Sequence, residues 1–288
     1  MGYRDYSTAK AHIVDATGHG DFTTISAALS AASAGQVIFV RPGIYTENPT
    51  LKADVDICAF IANAVSQNVT INGKCSYSGS GDVAISGICL QTNSDYALEV
   101  TGSSASVVSL INCSINMTNN AGIHLSSSSS SAGIGLSFCI GNSNSGETLF
   151  VVSGAGSLGI VQTQIGGTPS STASTFSSSG TLDIYYSTIN SPITTSGSSS
   201  VAAKYCYFQP GIDANGLIFG GSGSIHQIWH CQIGCQLVIN NTMTVVESLV
   251  NSGQTNAITG SGTLLYGNIV FIQSSGNNVT TETPLTKI

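Results

Sequence analysis

The 288-residue chain holds seven Lys and Arg against fourteen Asp and Glu, a formal net charge of −7. Its cations are scattered at Arg4, Lys10, Arg41, Lys52, Lys74, Lys204 and Lys287, which excludes nucleic acid and an anionic membrane as partners, because both need clustered positive charge. Charged residues are 7% of the sequence, yet hydrophobic residues reach 41%, enough to bury a core and unlike a disordered chain.

In chain order, the N-terminus MGYRDYSTAKAHIVDATG has no apolar stretch of signal-peptide length. No later segment approaches the roughly 18 apolar residues of a membrane span. The first legible element lies over 21–34. Asp21, Thr23 and Thr24 offer N-cap oxygens. Ile25, Ala28, Leu29 and Ala32 share one helical face, and Gly35 suits a helix end. The apolar run Val37–Val40 then predicts a strand, with Pro42-Gly43 as a turn into the rest of the chain.

From residue 87 a repeat emerges. Short segments end at Leu90, Ile115, Ile140, Ile165, Ile189, Phe208, Ile233, Leu249 and Ile269, and the first four steps are 25, 25, 25 and 24 residues. Between them recur apolar runs closed by Ser and Gly, such as ALEVTGSS, GIHLSSSS and LFVVSGAGS. Such units read as two or three short strands joined by small-residue turns. A period of this size without a helical pattern predicts an all-β solenoid, one coil per repeat. A helix over 21–34 would cover its open N-terminal end.

Alternation predicts which residues point inward. In 132–140 it places Ala132, Ile134, Leu136, Phe138 and Ile140 on one face. In 225–233 it places Ile225, Gln227, Trp229, Cys231 and Ile233 inside. Cys113, Cys206 and Cys231 fall in one column, so most of the eight Cys read as buried free thiols. The coil at 201–208 aligns with Lys204 inward, which is costly for a charge; shifting one residue buries Val201, Ala203, Tyr205 and Tyr207 instead. Val108, Leu110, Leu158, Ile160, Leu182, Ile184, Tyr186, Ile228, Leu264 and Tyr266 then face outward as apolar stripes. Such stripes predict side-by-side association into a homo-oligomer, taken as a trimer.

Residues 13–48, with the turn Gly43-Ile-Tyr45-Thr-Glu47, resemble the N-terminal cap of pectin lyase-like parallel β-helix proteins. The opening is similar to that of pectin methylesterases and to those of phage tail spikes and other viral β-helix proteins. The resemblance implies a right-handed single-stranded parallel β-helix with coils of about 25 residues and an N-terminal capping helix. The expected layout is one domain over 1–288: a cap at 1–48, coils over 49–272 and a C-terminal cap or tail at 273–288.

The resemblance does not extend to esterase chemistry. That family uses two aspartates, a glutamine and an arginine on later coils, one aspartate in an Asp-Phe-Ile-Phe-Gly motif. Here the matching segment is Gly216-Leu-Ile-Phe-Gly220, with Gly in place of the acid, and no Arg follows Arg41. Tyr45 and Glu47 therefore read as structural cap residues. Glycoside hydrolysis needs two carboxylates about 5–10 Å apart. The later acids, Glu147, Asp183, Asp213, Glu247 and Glu282, are out of register. Asp54, Asp56, Asp82, Asp95 and Glu99, with Lys52 and Lys74, form the one cluster. In His226-x-x-x-His230-Cys231-x-x-x-Cys235, alternation sets the histidines on the face opposite the cysteines, against a zinc site.

These readings predict no catalytic, cofactor or metal residues and no cofactor. The expected protein is a non-catalytic structural or adhesive rod of a virus particle (tail spike, fibre or capsid-surface protein) with a surface glycan or other virion proteins as partners. The alternatives are a polysaccharide-modifying enzyme and a non-viral carbohydrate-binding adhesin, the latter favoured by an aromatic-lined groove.

Overall fold

A computed structural model describes residues 11–60, 68–92, 96–117, 122–143, 148–167, 173–208, 216–221, 225–250, 258–271 and 285–287. The chain winds through three parallel sheets in turn. Among the described residues the first has 13 strands, from Ala11–Val14 and Val37–Val40 through one strand per coil to Thr263–Gly267 and Leu285–Lys287. The second has 11, from Gly43–Tyr45 to Val270–Phe271, and the third 9, from Cys75–Tyr77 to Ile258–Thr259. This is a parallel β-helix, as the repeat predicts. The apolar runs closed by Ser and Gly are strands of the third sheet, among them Leu98–Gly102, Ile123–Ser127 and Phe150–Gly154. The last strand, Leu285–Lys287, falls within the expected C-terminal cap. No helix among the described residues is long and apolar enough to cross a membrane.

The cap follows the local chemistry. The helix runs Ile25–Ala31, with Thr24 at the N-cap accepting from Ala27 N, and Ile25, Ala28 and Leu29 buried. Glu47 receives the helix's first N–H groups, from Ile25 and Ser26, at 2.8 Å each, and the Ser26 hydroxyl as well. Tyr45 is buried and its hydroxyl donates to Arg41 O at 2.9 Å. Both residues of the Tyr-x-Glu pair thus hold the cap together.

The lumen is filled by columns of identical register. One column of the first sheet reads Ile85, Leu110, Leu136, Ile160, Ile184, Ala203, Ile228 and Val245, all buried. Each such Ile or Leu contributes about 1.5–3 kcal/mol of burial. The expected outward stripes are therefore wrong in large part. Val108, Leu110, Leu158, Ile160, Leu182, Ile184, Ile228 and Leu264 are core, and Tyr266 packs partly buried against it. Of that set only Tyr186 is largely exposed. The argument for a trimer loses its footing with them.

The cause is a corner that the alternation does not anticipate. From the strand Ser106–Ile111 onward, the turn between the first and second sheets is made on one residue with left-handed backbone: Asn112, Phe138, Gln162, Tyr186, Tyr205, His230, Glu247 and Asn268, with φ between 47° and 56°. Gly87 takes the same place one coil earlier. That residue points out, and the next one points in, so the inward parity changes. In 132–140, Ala132, Ile134 and Leu136 are inside, Phe138 and Ile140 are exposed, and Cys139 is buried. In 225–233, His226 and Ile228 are inside, whereas Gln227 and Trp229 are exposed; the Ile225 side chain lies outside the described residues. In 201–208, Val201 and Ala203 are buried as burial energetics requires, but Tyr205 is exposed and Cys206 and Phe208 are buried. The same slip affects the repeat. The true column of the second sheet runs Leu90, Ile115, Gly141, Ile165, Ile189, Phe208, Ile233 and Val250. Gly141 lacks a side chain because Leu149 fills the space.

After the corners from Asn112 to Glu247 the buried residue is small and able to hydrogen bond. Thr163, Ser187 and Ser248 donate to the carbonyl two residues back at 2.7–2.9 Å, and Cys139, Cys206 and Cys231 do so through sulfur at 3.2–3.4 Å. The expected column of Cys113, Cys206 and Cys231 is real, and Cys139 joins it. All eight thiols are free, and seven are buried.

Candidate functional site

Acids are densest in the first coils, at Asp54, Asp56, Asp82 and Glu99. Their carboxylates are engaged with main chain and neighbours. Asp56 is buried and its Oδ1 accepts Ala84 N at 2.8 Å. Asp54 Oδ1 receives Asp82 N, and Asp82 Oδ1 receives Val107 N at 3.1 Å. These acids join one coil to the next. Glu99, on the third sheet, binds Lys74 Nζ at 3.0 Å and His124 Nδ1 at 3.2 Å, and Tyr96 stacks on His124. The Lys74 hydrogen bond leads in holding the Glu99 carboxyl below its usual range. Lys52 donates to the last carbonyls of the cap helix. Asp95, Glu147, Asp213 and Glu282 lie outside the described residues.

The other sequence candidates separate. His226 is in the core and His230 at the surface, while Cys231 and Cys235 are buried. The expected opposition of histidines to cysteines fails, because the corner at His230 resets the parity. Among the described residues, no three His, Cys, Asp or Glu gather as a metal site. His226 has no hydrogen-bond partner on either ring nitrogen, and burial pushes its pKa down to about 4. At Gly216 a Cβ would stand 2.0 Å from Gln236 O, so the acid of the esterase motif has no room there.

A surface that the sequence reading did not isolate lies on three successive coils. Tyr185, Lys204 and Trp229 occupy one outward row of the first sheet. Tyr186, Tyr205 and His230 are the corner residues beside them, and Tyr207 follows on the second sheet. Four of the ten Tyr and the single Trp are thus side by side. Tyr186 and Tyr205 are 60% and 50% exposed. Their rings stack at 5.0 Å and 6°, and His230 stacks on Tyr205 at 4.9 Å. His230 Nε2 meets Glu247 Oε2 at 2.5 Å, and Lys204 Nζ sits 4.5 Å from the Trp229 ring centre.

Beside this aromatic wall the next outward row of the first sheet is low: Gly135, Gly159, Asp183, Ala202 and Gln227. A shallow hollow of about 280 Å³ opens there, lined by Thr181, Asp183, Ser200, Val201, Ala202 and Gln227. Thr181 Oγ1 donates to Asp183 Oδ2 at 3.2 Å. Burial first, then the Asp183 charge and their hydrogen bond, raise the Tyr185 phenol above its usual pKa. Asp183 and Glu247 are three coils apart, about 14 Å at ~4.8 Å per coil, too far for a glycosidase pair.

No family model matches this chain, and no curated protein is detectably similar. Solved structures with a similar course do exist. Carrot pectin methylesterase is 13% identical, with 95% of this chain and 87% of that one covered and a TM-score of 0.39. Deglycosylated pectin methylesterase from Aspergillus niger is 13% identical, with 96% and 90% covered and a TM-score of 0.40. Pectate lyase Pel9A is 14% identical, with 96% and 81% covered and a TM-score of 0.41. The likeness is one of β-helix architecture, as the resemblance of residues 13–48 implies, and it carries nothing about activity.

Proposed function

We propose that this β-helix is a non-catalytic adhesive rod that binds polysaccharide along the aromatic face around Tyr186, Tyr205 and Trp229. One observation carries the reading: two exposed tyrosines sit where the backbone is left-handed. That conformation costs a side chain about 1–2 kcal/mol, and Asn or Gly avoids much of it. Asn112 and Asn268 take the same corner on other coils. Each stacking contact returns only about 0.5–1.5 kcal/mol, so backbone cost and stacking roughly offset one another and the tyrosines add little net stability. Their exposed hydroxyl-bearing edges suit a ligand with apolar C–H faces and a rim of hydroxyls, which describes a pyranose.

The reading needs neither a virus particle nor a trimer, since the stripes that suggested side-by-side association are core except at Tyr186 and, in part, Tyr266. A modifying enzyme is the weaker alternative, because the described acids of this face are three coils apart and those of the first coils hold the fold.

Electrophoresis through gels containing single polysaccharides tests it. Wild type is expected to be retarded by at least one neutral polymer, and Tyr186→Asn/Tyr205→Asn to bind about tenfold more weakly or worse. Incubation should release no new reducing ends. Equal retardation of the double variant, or cleavage in proportion to protein added, would overturn the reading.

A further inference from the structure

Resting on that reading, we infer that the low row beside the aromatic wall is a built groove for a neutral, unbranched polysaccharide lying along the solenoid axis, with Asp183 as the residue that fixes sugar hydroxyls. The first argument is steric. Gly135 and Gly159 are outward residues in the strands Ala132–Ser137 and Ser157–Val161. Glycine weakens a strand interior and often marks a place that something else approaches closely. Neither glycine is required by packing. A Cβ on Gly159 would meet nothing within 4 Å, and one on Gly135 only Ser109 Oγ at 3.9 Å; neither backbone is left-handed. Other glycines of this chain are confined, such as Gly216, Gly154 and Gly260, whose Cβ would stand 2.0–2.1 Å from a carbonyl oxygen. At Gly135 and Gly159 the row is therefore open without a structural demand for it.

The second argument is chemical. In line with the two glycines stand Asp183, Ala202 and Gln227. Thr181 and Tyr185 hold the Asp183 carboxylate in place, and acceptor capacity remains, since a carboxylate offers about four lone-pair sites. An acceptor-only group can receive two neighbouring hydroxyls, and the Gln227 amide and Ser200 hydroxyl add both donors and acceptors. The axial repeat fits as well. Coils stack at ~4.8 Å, successive rings of the ladder lie 5.0 and 4.9 Å apart, and a hexose unit in an extended 1,4-linked chain is about as long as one coil is tall.

The third argument is electrostatic and sets the class. Between Lys74 and Lys287 the sequence contains one cation, Lys204, and its ammonium lies over Trp229. Asp183 and Glu247 flank this face with negative charge. A polyuronate would bring a carboxylate on each unit toward Asp183 with one ammonium to offset it, so like-charge repulsion selects against acidic chains.

Gel electrophoresis with soluble glucomannan and with polygalacturonate separates the possibilities, using wild type, Gly159→Phe, Gly135→Phe, Asp183→Asn and Tyr205→Asn. The phenylalanines fill the groove from positions with free space, and their melting temperatures are expected to match wild type. Glucomannan should be bound about tenfold more weakly by either plugged variant and several-fold more weakly by Asp183→Asn, and polygalacturonate should bind wild type more weakly than glucomannan. Two plugs that fold and bind glucomannan like wild type would overturn the groove. If Tyr205→Asn is impaired at the same time, the aromatic face stands and only the groove falls. Equal or tighter binding of polygalacturonate would overturn the neutral class. Wild type that binds neither polymer would overturn the groove, and gels of the other single polysaccharides then decide the aromatic reading.

Discussion

The first coils and the coils around Tyr186–Trp229 distribute polar chemistry in opposite ways. Near Asp54, Asp56, Asp82 and Glu99 the charges are dense, but each carboxylate holds a neighbouring N–H or cation. Around Tyr186, Tyr205, Lys204 and Trp229 charges are sparse, and aromatic groups stand exposed at strained corners. Acid density therefore misleads as a guide to function in a solenoid. Each coil must close its turns and satisfy buried backbone groups, and acids are effective at both. Groups with capacity left over are the better guide.

That contrast predicts opposite consequences of mutation. The largest effect is expected at the cap. Glu47→Ala removes three hydrogen bonds to a carboxylate, two of them from the helix N-terminus, and should cost about 4 kcal/mol in urea unfolding, with glycan binding of the folded fraction intact. A loss below about 1 kcal/mol would mean the cap is not held by Glu47.

Next comes His226, a polar group of neither kind: buried, unpartnered and flanked in its column by Val201 and Met243. Its folded pKa of about 4 lies below the unfolded value of 6.5. Between those values the unfolded chain holds a proton that the folded chain does not. Its contribution is therefore complete above pH 6.5 and lost as pH falls toward 4, by about 3 kcal/mol. His226→Met should remove that part of the acid destabilisation, read as the wild-type-minus-variant difference across pH 7 to 4. A difference that stays flat would contradict the burial of a neutral imidazole.

Smaller again is Asp56→Ala, which leaves Ala84 N without its acceptor and should cost about 2 kcal/mol, again without touching binding. The smallest change in stability belongs to Tyr205→Asn. Relief of the left-handed backbone and loss of stacking offset one another to within about 1 kcal/mol, although binding is expected to fall steeply. If Tyr205→Asn is instead strongly destabilising, the aromatic ladder is a structural brace.

Much of this was legible in the sequence, for stated reasons. The cap helix announces itself through Thr24, the face of Ile25, Ala28 and Leu29, and Gly35. The third-sheet strands show apolar alternation closed by Ser and Gly. The corner between the first and second sheets was not legible, because Phe138, Gln162, Tyr186, Tyr205 and Glu247 occupy a conformation that normally calls for Gly or Asn. Without that turn signal, two short strands read as one long strand, and every parity beyond the corner flips. The aligned segments did hold a trace: Cys113, Cys139, Thr163, Ser187, Cys206, Cys231 and Ser248 form a column of small hydrogen-bonding residues. The aromatic face was hidden by the same slip, which sent Trp229 inward and left Tyr186 among residues that are core.

The most direct measurement uses Trp229, the only tryptophan in the chain and a member of the aromatic wall. Its fluorescence is followed while soluble glucomannan oligosaccharides are added to wild type and to Gly159→Phe. A saturable change in wild type that is lost in the plugged variant is the predicted result. A trace that stays flat while gel retardation shows the glycan bound would place the binding surface elsewhere and contradict the central claim.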